Sequence, residues 1–177
     1  MLSGSWADPM SELSLTILPE TAGDADAIAR LHERTFGPGR YARTAYRIRE
    51  GRGHALALSF TARIGTLLVG SVQQTPIRIR EIPALLLGPL TVEPPFRSHG
   101  IGSALIARAL EAAKVKGHRL VLLVGDEPYY RKSGFRQIAK GRVKMPGPVD
   151  PARLLVAELV PGAFDGVAGM IRPDWEA

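Results

Sequence analysis

Between an apolar run and a long amphipathic stretch the chain reads Arg97-Ser98-His99-Gly100-Ile101-Gly102-Ser103. Residues of these types at this spacing bind anions. Glycine has no Cβ, so the backbone can approach a ligand closely. A helix start offers N–H groups with no intrahelical acceptor, together with the positive end of the helix dipole. Arg97 and His99 add cationic or hydrogen-bonding side chains. Two named phosphate motifs fail here: no G-x-x-x-x-G-K-[ST] string exists, and the dinucleotide fingerprint G-x-G-x-x-G/A breaks at Leu105. What remains is R-x-x-G-x-G, for which a plain glycine-rich turn ahead of a helix is the competing reading.

The elements around this loop are well marked. From Gly100 to Lys116, Ile101, Ala104, Leu105, Ala109 and Ala112 fall on one helical side, with Ile106 and Leu110 widening it. Lys114 and Lys116 complement the carbonyl end of the dipole, and Gly117 suits the residue after the helix. Ahead of the loop, Ala84 to Val92 (ALLLGPLTV) is nearly all apolar, as expected of a strand buried on both faces. Gly88-Pro89 interrupts it. Proline cannot donate to a ladder and glycine weakens one, so a bulge or a local parting of strands is expected there.

Elsewhere, strands are predicted at Leu13–Leu18, Arg119–Val124, Phe135–Ala139 and Leu154–Val160, with a hairpin of Ala55–Arg63 and Thr66–Ile79 around Ile64-Gly65. Pro83 is read as the break between that hairpin and the apolar strand. Helices are predicted after Thr21 and Asp24 up to Gly37, at Tyr41–Glu50, and at Glu127–Ser133. This order gives an α/β fold on one mixed sheet. The expected division is a flexible leader over residues 1–12, a domain over 13–160 and a C-terminal tail over 161–177.

At 177 residues, 45% hydrophobic and 23% charged, the chain falls outside the disordered class and suits one globular domain. It contains no cysteine, which excludes disulfide frameworks, thiolate nucleophiles and Cys-ligated metal sites. His32, His54 and His118 lack metal-ligand spacing, so no metal is expected. No signal peptide or apolar stretch long enough for a membrane is read, and a cytoplasmic location with no membrane partner is the expectation. The net charge is +6, and Arg40 to Arg52 holds five arginines against one glutamate, a local +4. A solvated basic helix is one reading of that segment; a contact with an acidic or phosphate-bearing acceptor is the other. The basic run Arg131, Lys132, Arg136, Lys140, Arg142 and Lys144 reads as surface or as a further phosphate contact.

The loop at Arg97–Ser103 resembles motif A of the GNAT superfamily, the acyl-coenzyme A-dependent N-acetyltransferases. Leu87-Gly88-Pro89-Leu90-Thr91-Val92 is similar to that family's fourth strand. Tyr129-Tyr130-Arg131-Lys132-Ser133-Gly134-Phe135 resembles its second signature, Y-x-x-x-G-F. Two motifs in the right order, about thirty residues apart, are more specific than either alone. The order of elements agrees from Leu13 to Val160.

The resemblance implies a fold, a cosubstrate and a set of roles. The fourth and fifth strands should splay, admitting the pantetheine arm of acetyl-CoA. Its pyrophosphate should meet Arg97, Ser98, His99, Gly100, Ile101, Gly102 and Ser103, with Thr91 and Val92 holding the arm by backbone bonds. Since Pro89 has no N–H, the carry-over makes Leu90 N–H the donor to the thioester carbonyl. Tyr130 matches the family tyrosine that protonates the leaving thiolate; Tyr129 is one place off and is expected to point elsewhere, and Phe135 is read as core. Glu93 is the first candidate base and Asp126 the second, each alternatively a solvated loop carboxylate. The expected function is acetyl transfer to a primary amine by direct attack. A non-catalytic acyl-CoA sensor and an RNA-directed acetyltransferase using Arg40–Arg52 are the alternatives. The acceptor pocket is expected from Phe36–Tyr41, Thr75–Pro83 and Gly141–Pro151. A homodimer is left open as a further assembly, and the acceptor itself is not legible.

Overall fold

The computed structural model describes residues 14–37 and 53–174. The leader to Leu13, the helix expected at Tyr41–Glu50 with the surrounding Arg40–Arg52 segment, and the last three residues lie outside the described residues.

The frame is a hairpin of two long strands, β3 (Leu67–Ile79) and β4 (Ile82–Val92), joined by a turn at Arg80-Glu81 in which Arg80 has φ 54°. Around it lie β1 (Leu15–Pro19), β2 (Phe60–Ile64), β5 (Leu120–Val124), β6 (Arg136–Gln137), β7 (Val143–Lys144), β8 (Leu154–Glu158) and β9 (Gly169–Pro173). The sheet runs β1-β2-β3-β4-β5-β8-β6, and β4–β5 is parallel while its other pairings are antiparallel. Because β3 has 13 residues, one edge takes both β2, over Leu67–Val72, and β9, over Ile77–Ile79.

Alternation along the strands feeds two cores. On β5, Val121 and Leu123 join one cluster with Leu105, Ile106 and Phe135, while Leu120 and Leu122 join the other with Leu86, Val156 and Phe164. The first cluster is covered by α2 (Ile101–Val115), whose buried stripe is Ile101, Gly102, Leu105, Ile106, Ala109 and Ala113. Gln74, fully buried on β3, donates from Nε2 to the Leu58 carbonyl at 2.8 Å and to the Ala109 carbonyl of α2 at 3.0 Å. On the opposite face, α1 (Ala25–Phe36) packs Ile28 and Leu31 against Leu68. Thr21 and Asp24 form a capping box ahead of it, as their residue types suggested. After β5 a short α3 (Glu127–Tyr130) passes into a single 3-10 turn at Arg131–Ser133.

The expected parting of strands is present. Only two residue pairs join β4 to β5, Leu85–Val121 and Leu86–Leu122. Beyond them β4 meets Gly88-Pro89, where its register with β3 jumps from Leu87–Gln74 to Leu90–Val72, so two residues oppose Gln73 alone. Gly88 has φ 130°, a conformation that other L residues rarely adopt. The fold is thus α/β, one mixed sheet flanked by helices with its fourth and fifth strands splayed.

Several details depart from the sequence reading. The strand expected over Ala55–Arg63 begins only at Phe60, because Leu56–Leu58 form a 3-10 turn. Pro83 does not break the sheet but pairs with Arg78 inside β4, at a point where β5 has not yet begun and no ladder donor is required. The strand expected over Phe135–Ala139 is only Arg136–Gln137, an edge strand with one partner, although Ile138 N–H still reaches the Leu154 carbonyl at 3.0 Å. The strand expected to Val160 ends at Glu158. The tail after Pro161 packs on its own domain: Phe164, Val167 and Ile171 are buried and β9 pairs with β3 and β7. Arg142 holds that segment, with its guanidinium 4.0 Å from the Phe164 ring centroid and its Nε donating to the Val167 carbonyl at 2.9 Å. A strand reading GMIRP, with glycine and proline at its ends, carries no legible strand signal.

Candidate active site

A cavity of about 1080 Å³ opens where β4 and β5 separate. Leu87 to Val92 form one wall, and Val124, Gly125 and Asp126 at the end of β5 form the other. The N-terminus of α2 and its loop close one end. His32, Thr35 and Phe36 of α1, with Pro148–Asp150 and Arg153, close the opposite side. Of the residues expected to act, Leu90, Thr91, Val92, Arg97, Ser98, Gly100, Ile101, Gly102, Ser103, Asp126 and Tyr130 line this one space. Glu93 and His99 are not part of its lining.

The loop is shaped by left-handed backbone at Ser98 (φ 68°) and Gly100 (φ 78°). The first α2 backbone bond runs from Ala104 N–H to the Gly100 carbonyl at 3.0 Å. The N–H groups of Ile101, Gly102 and Ser103 therefore have no intrahelical acceptor and point ahead of the helix. Arg97 is braced by an Nε donation to the Val92 carbonyl at 3.1 Å, which carries its guanidinium to the cavity edge. A Cβ on Gly100 would meet open space, whereas one on Gly102 would collide with the Tyr129 hydroxyl. Ile101 supplies backbone only, since its side chain is core.

Tyr130 sits between α2 and β5, its ring edge-on to Tyr129 at 4.9 Å and to Phe135 at 6.0 Å. A Cβ on Gly125 would strike the Tyr130 ring, so the glycine at the end of β5 is what lets the phenol pack there. Burial pushes the phenol pKa up to about 12, helped by the neighbouring Tyr129 and Asp126 and opposed by Arg153. Tyr130 is thus held protonated, a hydrogen-bond donor at every physiological pH.

The two carboxylates differ. Glu93, at the exit of β4, accepts from Arg34 of α1, at 2.8 Å from Nε and also from Nη2, so one of its oxygens is occupied by a guanidinium. Asp126 is at the cavity but 79% exposed, 3.6 Å from Arg153 Nε. Of the regions expected to form an acceptor pocket, Phe36 and Pro148–Asp150 line the cavity, while Thr75–Pro83 does not: that stretch spans the β3–β4 turn and pairs with β9 over Ile77–Ile79.

Sequence reasoning missed several lining residues. Tyr129 was expected to point away from the site, yet its hydroxyl lies against Gly102; a turn as short as α3 sends consecutive side chains to two walls of one narrow cavity. Gly125, His32, Thr35 and Arg153 carry no local motif and become visible only through the fold. Among the described residues no group of three or more His, Asp or Glu is placed to hold a metal ion. No helix among them is long and apolar enough to cross a membrane.

Comparison with known proteins agrees with this geometry. Residues 57–137 match the family model of the GNAT acetyltransferase domain. The chain is 30% identical over 120 residues to the uncharacterized N-acetyltransferase YjhQ of Escherichia coli, an alignment covering 66% of either protein. It is 44% identical over 62 residues to the uncharacterized N-acetyltransferase MJ1207 of Methanocaldococcus jannaschii, covering 30% of this chain and 27% of that one. The chain thus spans just under two thirds of the first relative and about a quarter of the second. Among solved structures, the GNAT-family N-acetyltransferase YhbS of Escherichia coli in complex with CoA superposes with a TM-score of 0.80 at 24% identity, covering 94% of this chain and 92% of YhbS. A GNAT-family acetyltransferase of Brucella melitensis in complex with acetyl-CoA superposes with a TM-score of 0.59 at 28% identity, covering 86% of this chain and 99% of that one. With both motifs on one cavity and these relatives beside it, the chain belongs to the GNAT acetyltransferase family.

Proposed function

We propose that this protein transfers an acetyl group from acetyl-CoA directly to a primary amine. The observation that carries the reading is continuity: a single cavity reaches from the free N–H groups of α2, past Leu90, to the Tyr130 hydroxyl side of α3. The CoA and acetyl-CoA complexes of the two structural relatives support the same donor here.

In this reading the pyrophosphate accepts from the N–H groups of Ile101, Gly102 and Ser103, with Arg97, Ser98 and His99 around it. The pantetheine arm follows Thr91 and Val92 into the gap that β5 leaves. Leu90, the first residue after Pro89, donates its N–H to the thioester carbonyl and stabilises the oxyanion as attack proceeds. The amine nitrogen bonds to the carbonyl carbon, the C–S bond breaks, and Tyr130 supplies a proton to the departing sulfur. The attacking nitrogen's extra proton replaces the one Tyr130 gave to sulfur, leaving an amide, free CoA and a restored phenol. With no cysteine in the chain, transfer passes through no acyl-cysteine.

Titration of acetyl-CoA into the protein, followed by free-thiol release over a panel of amines, tests the reading. Binding with amine-dependent thiol release is expected. Binding without turnover on any amine would instead favour an acyl-CoA sensor, and no binding would refute both. The RNA-directed alternative rests on Arg40–Arg52 and predicts salt-sensitive RNA affinity, which binding at low salt checks.

A further inference from the structure

The sheet face that α1 crosses is polar where packed layers are normally apolar. Thr61, Ser71 and Thr91 stand in register across β2, β3 and β4, all buried. Their side-chain oxygens, like that of Thr75 further along β3, are shut off from solvent and have no hydrogen-bond partner among the described residues. Two residues on from Ser71, Gln73 alternates to the same face, and its amide nitrogen lies 3.4 Å from both carboxylate oxygens of Glu20. The Glu20 side chain is 2% exposed, and His54 Nε2 lies 2.5 Å from its Oε1. At the other end of the row Thr91 lines the cavity, and the buried, unpartnered hydroxyl of Thr35 belongs to a residue that lines it from α1.

We infer that the Glu20–His54 pair is the proton acceptor of the transfer reaction, reached from the cavity through the hydroxyl row Thr91–Ser71 and internal water, with the Gln73 amide donating to Glu20 and positioning it. The inference rests on the acetyl-transfer reading above and names the group that reading leaves open. Buried hydroxyls without protein partners mark where internal water resides, because leaving them unpaired is unfavourable. Each hydroxyl both donates and accepts, so a file of them with water can pass a proton. The two carboxylates nearest the cavity are poorly suited: Glu93 is engaged by Arg34, and Asp126 lies exposed beside Arg153. Glu20 and His54, by contrast, form a buried carboxylate–imidazole pair, an arrangement in which the carboxylate stabilises the imidazolium formed on protonation.

The step balances simply. An alkylammonium, with a pKa of roughly 10.4, gives one proton through the row to the pair, becoming the neutral amine that attacks. The pair then releases that proton to solvent on the His54 side, where the ring is 24% exposed.

The test compares two acceptors at pH 7 in the full chain: an alkylamine that the protein acetylates, and a hydrazide or aromatic amine that is already neutral. Glu20→Gln should lower kcat for the alkylamine about 100-fold, the scale of lost general-base catalysis, and leave the neutral acceptor within about twofold. Acetyl-CoA affinity, measured by titration, should not change. Ser71→Ala, which removes only the middle hydroxyl of the row and lies outside the cavity lining, should lower alkylamine turnover about tenfold with the same selectivity. Equal losses on both acceptors, or no loss on either, would overturn the assignment. If Glu20→Gln fails to fold, Ser71→Ala decides alone by the same criterion. Failure of the wild-type protein to bind acetyl-CoA or turn over any amine is a separate outcome: it removes the acetyl-transfer reading and this inference with it.

Discussion

Arg34 of α1 donates from Nε to Oε1 of Glu93 at 2.8 Å, tying the helix that walls the cavity to the exit of β4. The two residues are 59 positions apart, and the contact turns a carboxylate that sequence alone offers as a base into a strut between two elements. Arg34 is 52% exposed and Glu93 18%, so solvent screens the pair and its net worth is at most about 1 kcal/mol. Glu93→Gln is therefore expected to keep kcat within about twofold and to lower stability by less than about 1 kcal/mol in urea unfolding. A large fall in kcat with unchanged stability would return Glu93 to the base role.

Tyr130→Phe removes a hydroxyl and nothing else from the packing against Phe135. If the hydroxyl protonates the leaving thiolate, kcat should fall about 100-fold while acetyl-CoA affinity stays within about twofold. An unaltered kcat would show that water or another group protonates the sulfur.

The raised pKa of Tyr130 also makes a stability prediction. Burial favours the neutral phenol in the folded state, so the folded pKa of about 12 lies above the unfolded value of 10.0. The unfolded chain loses this proton first, and the contribution is full below pH 10 and declines as pH rises from there toward 12. Wild type should lose on the order of 2–3 kcal/mol more than Tyr130→Phe over that window in denaturant titrations. Parallel curves for the two proteins would contradict the burial of the phenol.

Gly102 tests the phosphate loop. A Cβ there meets the Tyr129 hydroxyl, the far end of a side chain that is 45% exposed and free to swing, so the fold should tolerate substitution. Gly102→Val is expected to keep a wild-type circular dichroism spectrum while lowering acetyl-CoA affinity at least tenfold, because the branched side chain fills the space in front of the α2 N–H groups. Unchanged affinity would remove the loop from the binding site.

Gln74 tests the frame that holds α2 to the sheet. Gln74→Leu leaves the buried Leu58 and Ala109 carbonyls without their side-chain donor and should cost roughly 2–4 kcal/mol, read from the urea midpoint. A loss under about 0.5 kcal/mol would mean that those carbonyls find other partners.

What was legible in the chain was what is local. R-x-x-G-x-G ahead of an amphipathic helix, and Gly88-Pro89 inside an apolar strand, each state their own geometry, so the loop and the splay follow from short stretches of sequence. β9 does not, because Gly169–Pro173 has only Ile171 and Pro173 buried and acquires its strand by completing the free edge of β3. The polar face under α1 is equally silent: Thr61, Ser71 and Thr91 are ordinary strand residues until β2, β3 and β4 bring them into one row. Arg34–Glu93 and Glu20–His54 are likewise pairings across the fold, separated by 59 and 34 positions, and no spacing rule reaches that far.

In the proposed reaction one cavity binds acetyl-CoA and passes its acetyl group to an amine. The most direct measurement follows free CoA thiol and N-acetylated amine together, by thiol titration and mass spectrometry, in wild type and Tyr130→Phe. Direct transfer predicts one amide per thiol released, no acetylated protein intermediate, and a slower rate without change of stoichiometry in the variant. Thiol released without amide, or an acetylated protein that forms and decays at the rate of turnover, would contradict it.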